Sequence, residues 1–356
     1  MALQKFQHFM LKEIYEQPEV IRHSLSDPTE AFQVLPTLDQ VEEIQILACG
    51  TSFHAGLIGQ FLLEQVAGIP TRVRSASEFL AAPFPRFRNT LVVVVSQSGE
   101  TADVLAAMQV VKQSSPGGAF NILAITNNSQ SSIATEADYE ISVAAGIETS
   151  VAATKTFTAQ LALFYGLAFF YARQGQRLSN EQLKGWNAQL DALPAQVEKV
   201  LQQEATITAI AASLKDTKTL MLLGTGINYP IALEGALKLK ETTYTHAEGY
   251  AAGEFLHGPI ALLDQTIPTI AICPSQRSRS ASAERMLKVA QKISSNGSDV
   301  ILLGGSDAAI VLPPCEELLS PFLNIVPLQL LAYHLAISRN IDVDHPRNIT
   351  KSLKSS

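Results

Sequence analysis

The sequence predicts an α/β fold: two tandem domains of parallel sheet, covered by helices on both faces and related by internal duplication. Three observations carry this expectation. Short apolar runs alternate with longer helical stretches, the pattern of βα units. Several of those runs stop abruptly at glycine and hydroxyl residues, as strands do where a βα loop begins. The two halves of the chain also share an order of landmarks. In the first half, IQILACGTS (44–52) is a strand ending in a Gly-Thr-Ser turn; Ser77-Glu78-Phe79, the strand LVVVV, a helix from about Thr101 and the strand NILAIT follow. In the second, TLMLLGTGIN (219–228) ends in a glycine-rich turn, and Gly253-Glu254-Phe255, the strand PTIAIC, a helix from about Ala281 and the strand SDVILLG follow. Gly50 and Gly226 lie 176 residues apart, as do Glu78 and Glu254; the same step takes Ser96 to Ile272 and Asn121 to Gly297.

Composition bounds the function. With 356 residues, 47% of them hydrophobic and 17% charged, the chain can bury sizeable cores and lacks the signature of disorder. Its 26 basic and 33 acidic side chains give a formal charge of −7, which argues against a nucleic-acid-binding surface. Cys49, Cys273 and Cys315 lie far apart without CxxC spacing, so neither a disulfide framework nor a metal site is expected, in keeping with a reducing cytoplasm. The N-terminal MALQKFQHFMLKEIYEQPEV is mixed in charge, unlike a signal peptide. The apolar stretch Phe157–Ala172 contains Thr158 and Gln160 and is shorter than the roughly 20 residues a spanning helix needs, so a buried helix in a soluble protein is expected.

Ligands of such sheets bind at the carboxyl ends of the strands. Two hydroxyl-rich loops of the first half fall there, Gly50-Thr51-Ser52 and Ser96-Gln97-Ser98-Gly99. Each offers hydroxyls and backbone N–H groups at the start of a helix, an arrangement suited to phosphate. Thr51, Ser52, Ser96, Ser98 and Thr101 can ring three phosphate oxygens without a lysine. GxxxxGK[ST] is absent and Gly224-Thr225-Gly226 lacks the third glycine of a dinucleotide fingerprint, so no nucleotide cofactor is expected. Turn formation and helix capping account for either loop taken alone; the pair on one sheet favours a ligand. The corresponding turns of the second half, Gly224-Thr225-Gly226 and Pro274-Ser275-Gln276, are less alike, which assigns anchoring to the first half.

In IALEGALKLKETTY (231–244), Glu234, Lys238 and Glu241 share one helix face, with Leu233 and Leu237 on an adjacent face expected to anchor the helix in the core. The spacing alone fits an exposed ion pair equally well. The helix follows the 224–228 turn directly, which is expected to set its early turns at the ligand rim. HAEGYAAGEFLHGP (246–259) is unusually plain, as backbone that passes close to something must be, and His257 is a candidate proton donor. His246 and His257 are eleven residues apart, a spacing that suits no common metal motif. The tail DVDHPRNITKSLKSS turns basic after Asp344, with Arg347, Lys351 and Lys354; read alone it is a frayed end.

SQSGETADV, ACGTS, ALEGALKLKE, HAEGYAAGEFLHGP and DVDHPRNITKS, in this order, closely resemble the isomerase half of the glutamine–fructose-6-phosphate aminotransferases, which is built of two flavodoxin-like SIS (sugar isomerase) domains. The resemblance covers nearly the whole chain. It implies that Thr51, Ser52, Ser96, Gln97, Ser98 and Thr101 bind the sugar phosphate, joined by Val151 and Ala152. It implies that Glu241 shuttles a proton between C1 and C2 of the open-chain sugar, with Lys238 and Glu234 as its partners. His257 is implied as the ring-opening histidine, contributed by a neighbouring subunit of a homodimer, and Lys351 as the Schiff-base lysine of a closing tail. No metal is needed for such aldose–ketose chemistry. There are departures. The glutaminase portion is missing and the chain begins Met1-Ala2-Leu3, so glutamine hydrolysis is not expected of it and ammonia would need a separate source. Ala153 stands where a serine is expected, and ETSVAATKTF is closer to stand-alone SIS proteins, including glucosamine-6-phosphate deaminases.

The expected organisation is an N-terminal helical segment (1–34), a first SIS domain (35–180), a second carrying the catalytic helix (181–340) and a tail or lid (341–356). The favoured function is isomerisation or deamination of glucosamine 6-phosphate and fructose 6-phosphate. The alternatives are the isomerase portion of a synthase and a non-catalytic phosphosugar sensor; a sensor has no need of Glu241, His257 and Lys351 together.

Overall fold

The computed structural model describes residues 6–25, 32–83, 89–114, 120–273 and 280–351. Ten strands make two parallel five-stranded sheets: β1 (Glu43–Ala48), β2 (Thr71–Ser75), β3 (Thr90–Ser96), β4 (Phe120–Thr126) and β5 (Tyr139–Ser142) in the first; β6 (Thr219–Gly224), β7 (His246–Ala251), β8 (Thr269–Ile272), β9 (Val300–Gly304) and β10 (Ile310–Val311) in the second. The first sheet is ordered β2-β1-β3-β4-β5 and the second β7-β6-β8-β9-β10, one permutation used twice. Strands β1 and β3 are buried along their whole length, as strands covered on both faces are.

The duplication is visible residue by residue. A step of 176 carries β1 onto β6 at both ends, and the short helix Ala76–Ala81 starts where Ala252–Phe255 does. The step then slips: Gly297 falls before β9, which begins at Val300, so Asn121 and Gly297 are not structural equivalents. Offsets in repeats are held by packed strands and drift through loops, where length changes cost little.

The described residues of Glu19–Glu148, Lys155–Asp191 and Thr350–Ser356 form one compact unit around the first sheet. Those of Met1–Pro18, Thr149–Thr154 and Ala192–Ile349 form another around the second. Leu47, Val92, Val94, Val104, Met108 and Ile122 fill one layer of the first core; Met221, Leu223, Phe255, Ala271, Met286 and Ile293 fill the equivalent layer of the second. The apolar stretch at 157–172 lies in the helix Lys155–Gln174 and is buried almost throughout, a core helix as expected. A second helical stretch, Glu317–Ser338, is long and apolar enough by composition to cross a membrane, but 89% of its apolar window is buried inside the protein.

Candidate functional site

In the order β2-β1-β3, the chain turns opposite ways after β1 and β3, so the carboxyl ends of these two neighbours form a switch point where ligands settle. Ala48 pairs with Val95, which places the loop after β1 beside the loop after β3. Gly50, Thr51 and Ser52 are the first turn of the helix Gly50–Leu62 rather than a separate turn, and Gly50 takes φ +55° to start it directly off the strand. Ser52 is buried, and its hydroxyl accepts from Gln160 Nε2 at 3.0 Å. Thr101 occupies the N-cap position of the helix Ala102–Gln113, its side chain making no capping bond. Two helix N-termini thus converge on one loop cluster, where positive dipole ends favour an anion.

The second loop is held by its own bonds. Ser96 Oγ lies 2.8 Å from Thr101 Oγ1 and accepts from Gly99 N at 3.1 Å, and Ser98 Oγ accepts from Glu100 N at 3.2 Å. The Gln97 carbonyl accepts from Asn127 N, and the Glu100 carboxylate accepts from the backbone N–H and hydroxyl of Ser132. Gly99, at φ +68°, has room for no side chain: a Cβ there would lie 2.0 Å from Ser131 Oγ and 2.9 Å from Thr126 Oγ1. Gly99→Ala is therefore expected to lower stability by about 2 kcal/mol or more, left-handed strain and the clash acting together. Urea unfolding measures it; a loss below about 0.5 kcal/mol would show the loop is not held this tightly.

Cys49 precedes this cradle at a helix N-terminus, where thiols are often acidified, yet burial pushes its thiol above the usual range. Burial likewise raises Cys273, to about 11, and Cys315, to about 12. None of the three is a poised nucleophile.

In the second unit, Glu234, Lys238 and Glu241 lie on the helix Tyr229–Thr243. The exposed ion-pair reading fails: the side chains of Glu234 and Lys238 are 0% exposed and that of Glu241 is 22% exposed. Lys238 Nζ lies 3.4 Å from Glu234 Oε1 and 2.6 Å from Glu241 Oε2, so one ammonium is shared by two carboxylates. One expectation is corrected. Leu233 and Leu237 are only half-buried; the buried residues of the helix include Ile231, Glu234, Gly235, Lys238 and Leu239. A Cβ on Gly249 of β7 would lie 2.6 Å from Leu233 N and 2.7 Å from Ala232 O, which is why HAEGYA is so plain. Glu241 is in the last turn of the helix, about 18 Å along its axis from Tyr229. It therefore stands near His246, the first residue of β7.

Glu241 lines a cavity of about 360 Å³ with Tyr244, His246, Arg347, Asn348 and Ile349. Tyr244 ends the helix in a left-handed conformation, with φ +57°. Arg347 donates its backbone N–H to the Tyr244 hydroxyl at 2.9 Å and stacks its guanidinium 4.0 Å from the ring centroid. Further up the tail, Asp344 accepts from Phe9 N and Met10 N and caps the helix Phe9–Tyr15. The frayed-end reading is thus replaced by an anchored segment through Lys351. Lys354 and Pro274-Ser275-Gln276 lie outside the described residues.

Lys351 belongs with the first unit, its Nζ 2.7 Å from Glu148 Oε2. His257 follows the short helix Ala252–Phe255 and is exposed. Val151 and Ala152 lie in the segment Thr149–Thr154 of the second unit; Val151 is half-buried and Ala152 fully buried, so of the two Val151 has surface to present. The buried Glu13 carboxylate holds this segment by accepting from Thr149 N and from the N–H and hydroxyl of Ser150. Gln329 Nε2 holds its far end at the Thr154 carbonyl, 3.5 Å away. Sequence reasoning missed Glu13, Glu100, Glu148 and Gln329, because the partners Thr149, Ser132, Lys351 and Thr154 lie 32 to 203 residues from them and no local spacing reports them.

Two parallel sheets built on one permutation, with switch points at the carboxyl ends of their strands, define a duplicated, doubly wound α/β protein. The chain belongs to the SIS domain family, whose model matches residues 37–169 and 213–339. It is 46% identical over 380 residues to a glutamine–fructose-6-phosphate aminotransferase (isomerizing) of Synechocystis sp., an alignment covering 98% of this chain and 59% of that protein. The corresponding protein of Escherichia coli is 40% identical, again with 59% of its length covered. The chain therefore spans about three fifths of the length of these curated relatives. Among solved structures, the C-terminal domain of glucosamine-fructose-6-phosphate aminotransferase from Francisella tularensis superposes with a TM-score of 0.88 at 33% identity, covering 97% of this chain and all of that one. A glucosamine-6-phosphate deaminase from Thermotoga maritima superposes with a TM-score of 0.73 at 25% identity, covering 96% of this chain and all of that one.

Proposed function

We propose that the chain is a cytoplasmic phosphosugar isomerase and deaminase that interconverts glucosamine 6-phosphate and fructose 6-phosphate. The observation that carries this is the helix face on which Glu241 alone reaches a cavity while Lys238 and Glu234 behind it are sealed from water. A carboxylate held by a buried ammonium and open on one side can take and return a proton without moving. In this reading Thr51, Ser52, Ser96, Gln97, Ser98 and Thr101 grip the 6-phosphate, with Val151 and Ala152 in the segment beside the sugar. Glu241 removes the C2 proton of the open-chain amino sugar and delivers it to C1, while one amine proton passes to the C1 oxygen. The C2 imine so formed exchanges its ammonia for Lys351, and water then releases fructose 6-phosphate. His257 opens the ring from the partner of a homodimer, where its exposure on the single chain becomes useful. Residues 35–180 and 181–340 act as the phosphate-gripping and base-bearing domains, with 1–34 as a helical lead and 341–356 as the lid.

A second reading has its own support: the 46% identity is to aminotransferases, whose names describe the synthetic direction. One assay separates the two. Glucosamine 6-phosphate is supplied and ammonia and fructose 6-phosphate are followed; the reverse is run with fructose 6-phosphate and ammonium. Forward turnover supports the deaminase, and reverse turnover alone supports the synthetic reading. No turnover in either direction, with sugar phosphate still bound, would leave a sensor. Ser98→Ala is expected to weaken fructose 6-phosphate binding by about tenfold or more in calorimetry, the worth of a hydrogen bond to a charged group. An unchanged affinity would remove Ser98 from the phosphate site.

A further inference from the structure

We propose that Glu148 is the acid–base partner of Lys351, the group that frees its amine and then completes the imine. This rests on the reading that Lys351 forms a Schiff base with the sugar. Glu148 lies between β5 and the helix Lys155–Gln174, and its side chain is fully buried. Its carboxylate accepts from Thr156 N at 3.2 Å and from Thr156 Oγ1 at 2.7 Å, so the helix start fixes its orientation. The same Oε2 lies 2.7 Å from Lys351 Nζ, whose side chain keeps 26% exposure. A second ammonium, Lys155, lies near Gly146 two residues before Glu148 and is itself buried.

A lysine ammonium cannot attack a carbonyl; it must first lose a proton. Here the acceptor is already at hydrogen-bond distance, and Thr156 prevents it from turning away. The proton balance closes within the pair. Lys351 passes one proton to Glu148, and its amine adds to the C2 carbonyl of the ketose. A proton moves from nitrogen to oxygen to give the carbinolamine. Glu148 then returns its proton to the hydroxyl, which leaves as water, and a protonated imine stands beside a carboxylate once more. The net charge of the pair is zero at both ends, so the buried site never holds an uncompensated charge.

The test traps the imine. The full chain is incubated with fructose 6-phosphate and cyanoborohydride, and the rate of covalent adduct at Lys351 is read by mass spectrometry from pH 6 to pH 10. The unsubstituted chain is expected to react at a rate that varies little with pH. Glu148→Gln, which keeps the Thr156 bond through its amide oxygen, is expected to react about tenfold more slowly near neutral pH. It recovers as pH rises and the amine frees itself, while fructose 6-phosphate affinity stays within about twofold. A purely structural role would depress the rate at every pH, and that result would overturn the proposal, as would an unaltered rate. Lys351→Ala sets the background. If the unsubstituted chain gives no adduct above it, the Schiff-base reading itself falls and this proposal falls with it; an adduct with a flat Glu148→Gln profile overturns the proposal alone.

Discussion

Glu241→Gln is expected to reduce turnover by about 10²- to 10⁴-fold, the range that a positioned general base contributes, while leaving sugar phosphate binding close to that of the unsubstituted chain. The physical case rests on what the substitution keeps. Glutamine has the same shape, and its amide oxygen can still face Lys238 Nζ, which sits 2.6 Å from the native carboxylate. Lys238 also retains Glu234 at 3.4 Å, so the buried ammonium is not abandoned. What disappears is the capacity to hold a proton between two carbons. Exchange of solvent deuterium into C1 of fructose 6-phosphate reads that capacity without waiting for product. Turnover within tenfold of the native chain would exclude Glu241 as the base.

Lys238→Met is expected to lower stability by about 3–5 kcal/mol, the cost of leaving a buried charge without its partner. Methionine fills a similar volume, so the loss does not come from a void. Glu234, with no exposed side-chain surface, would then face a hydrophobic thioether in place of an ammonium. The double variant Lys238→Met/Glu234→Gln removes the stranded charge and is expected to regain most of the loss. Denaturant unfolding of the three proteins decides the matter. A single-variant loss under about 1 kcal/mol would mean that the three side chains are hydrated and loosely coupled.

The architecture was legible because it is written in apolar runs, and parallel strands buried on both faces need little else. The position of the two hydroxyl-rich loops was legible for a related reason: Thr51, Ser96 and Ser98 are hydroxyls placed where an apolar strand ends. Glu234, Lys238 and Glu241 were legible as a set, but not their burial, since the same spacing serves a solvated face. Leu233 and Leu237 misled because hydrophobicity suggests the buried side, whereas Gly249 lets the backbone at Ala232 and Leu233 approach the sheet and Gly235 packs on Leu222 and Leu328. The links Glu148–Lys351 and Glu13–Ser150 were beyond reach, because nothing local in the sequence marks a contact 203 or 137 residues away.

The stack of Arg347 on Tyr244 has a practical consequence. The sequence contains one tryptophan, Trp186, which packs at 5.5 Å on Phe169 in the other unit. An indole introduced at position 244 would be the second emitter of the chain, lying directly beneath a guanidinium that perturbs its fluorescence. The residue that ends the helix Tyr229–Thr243 is thus a natural optical probe, by which the contact between Arg347 and this helix end can be followed in solution.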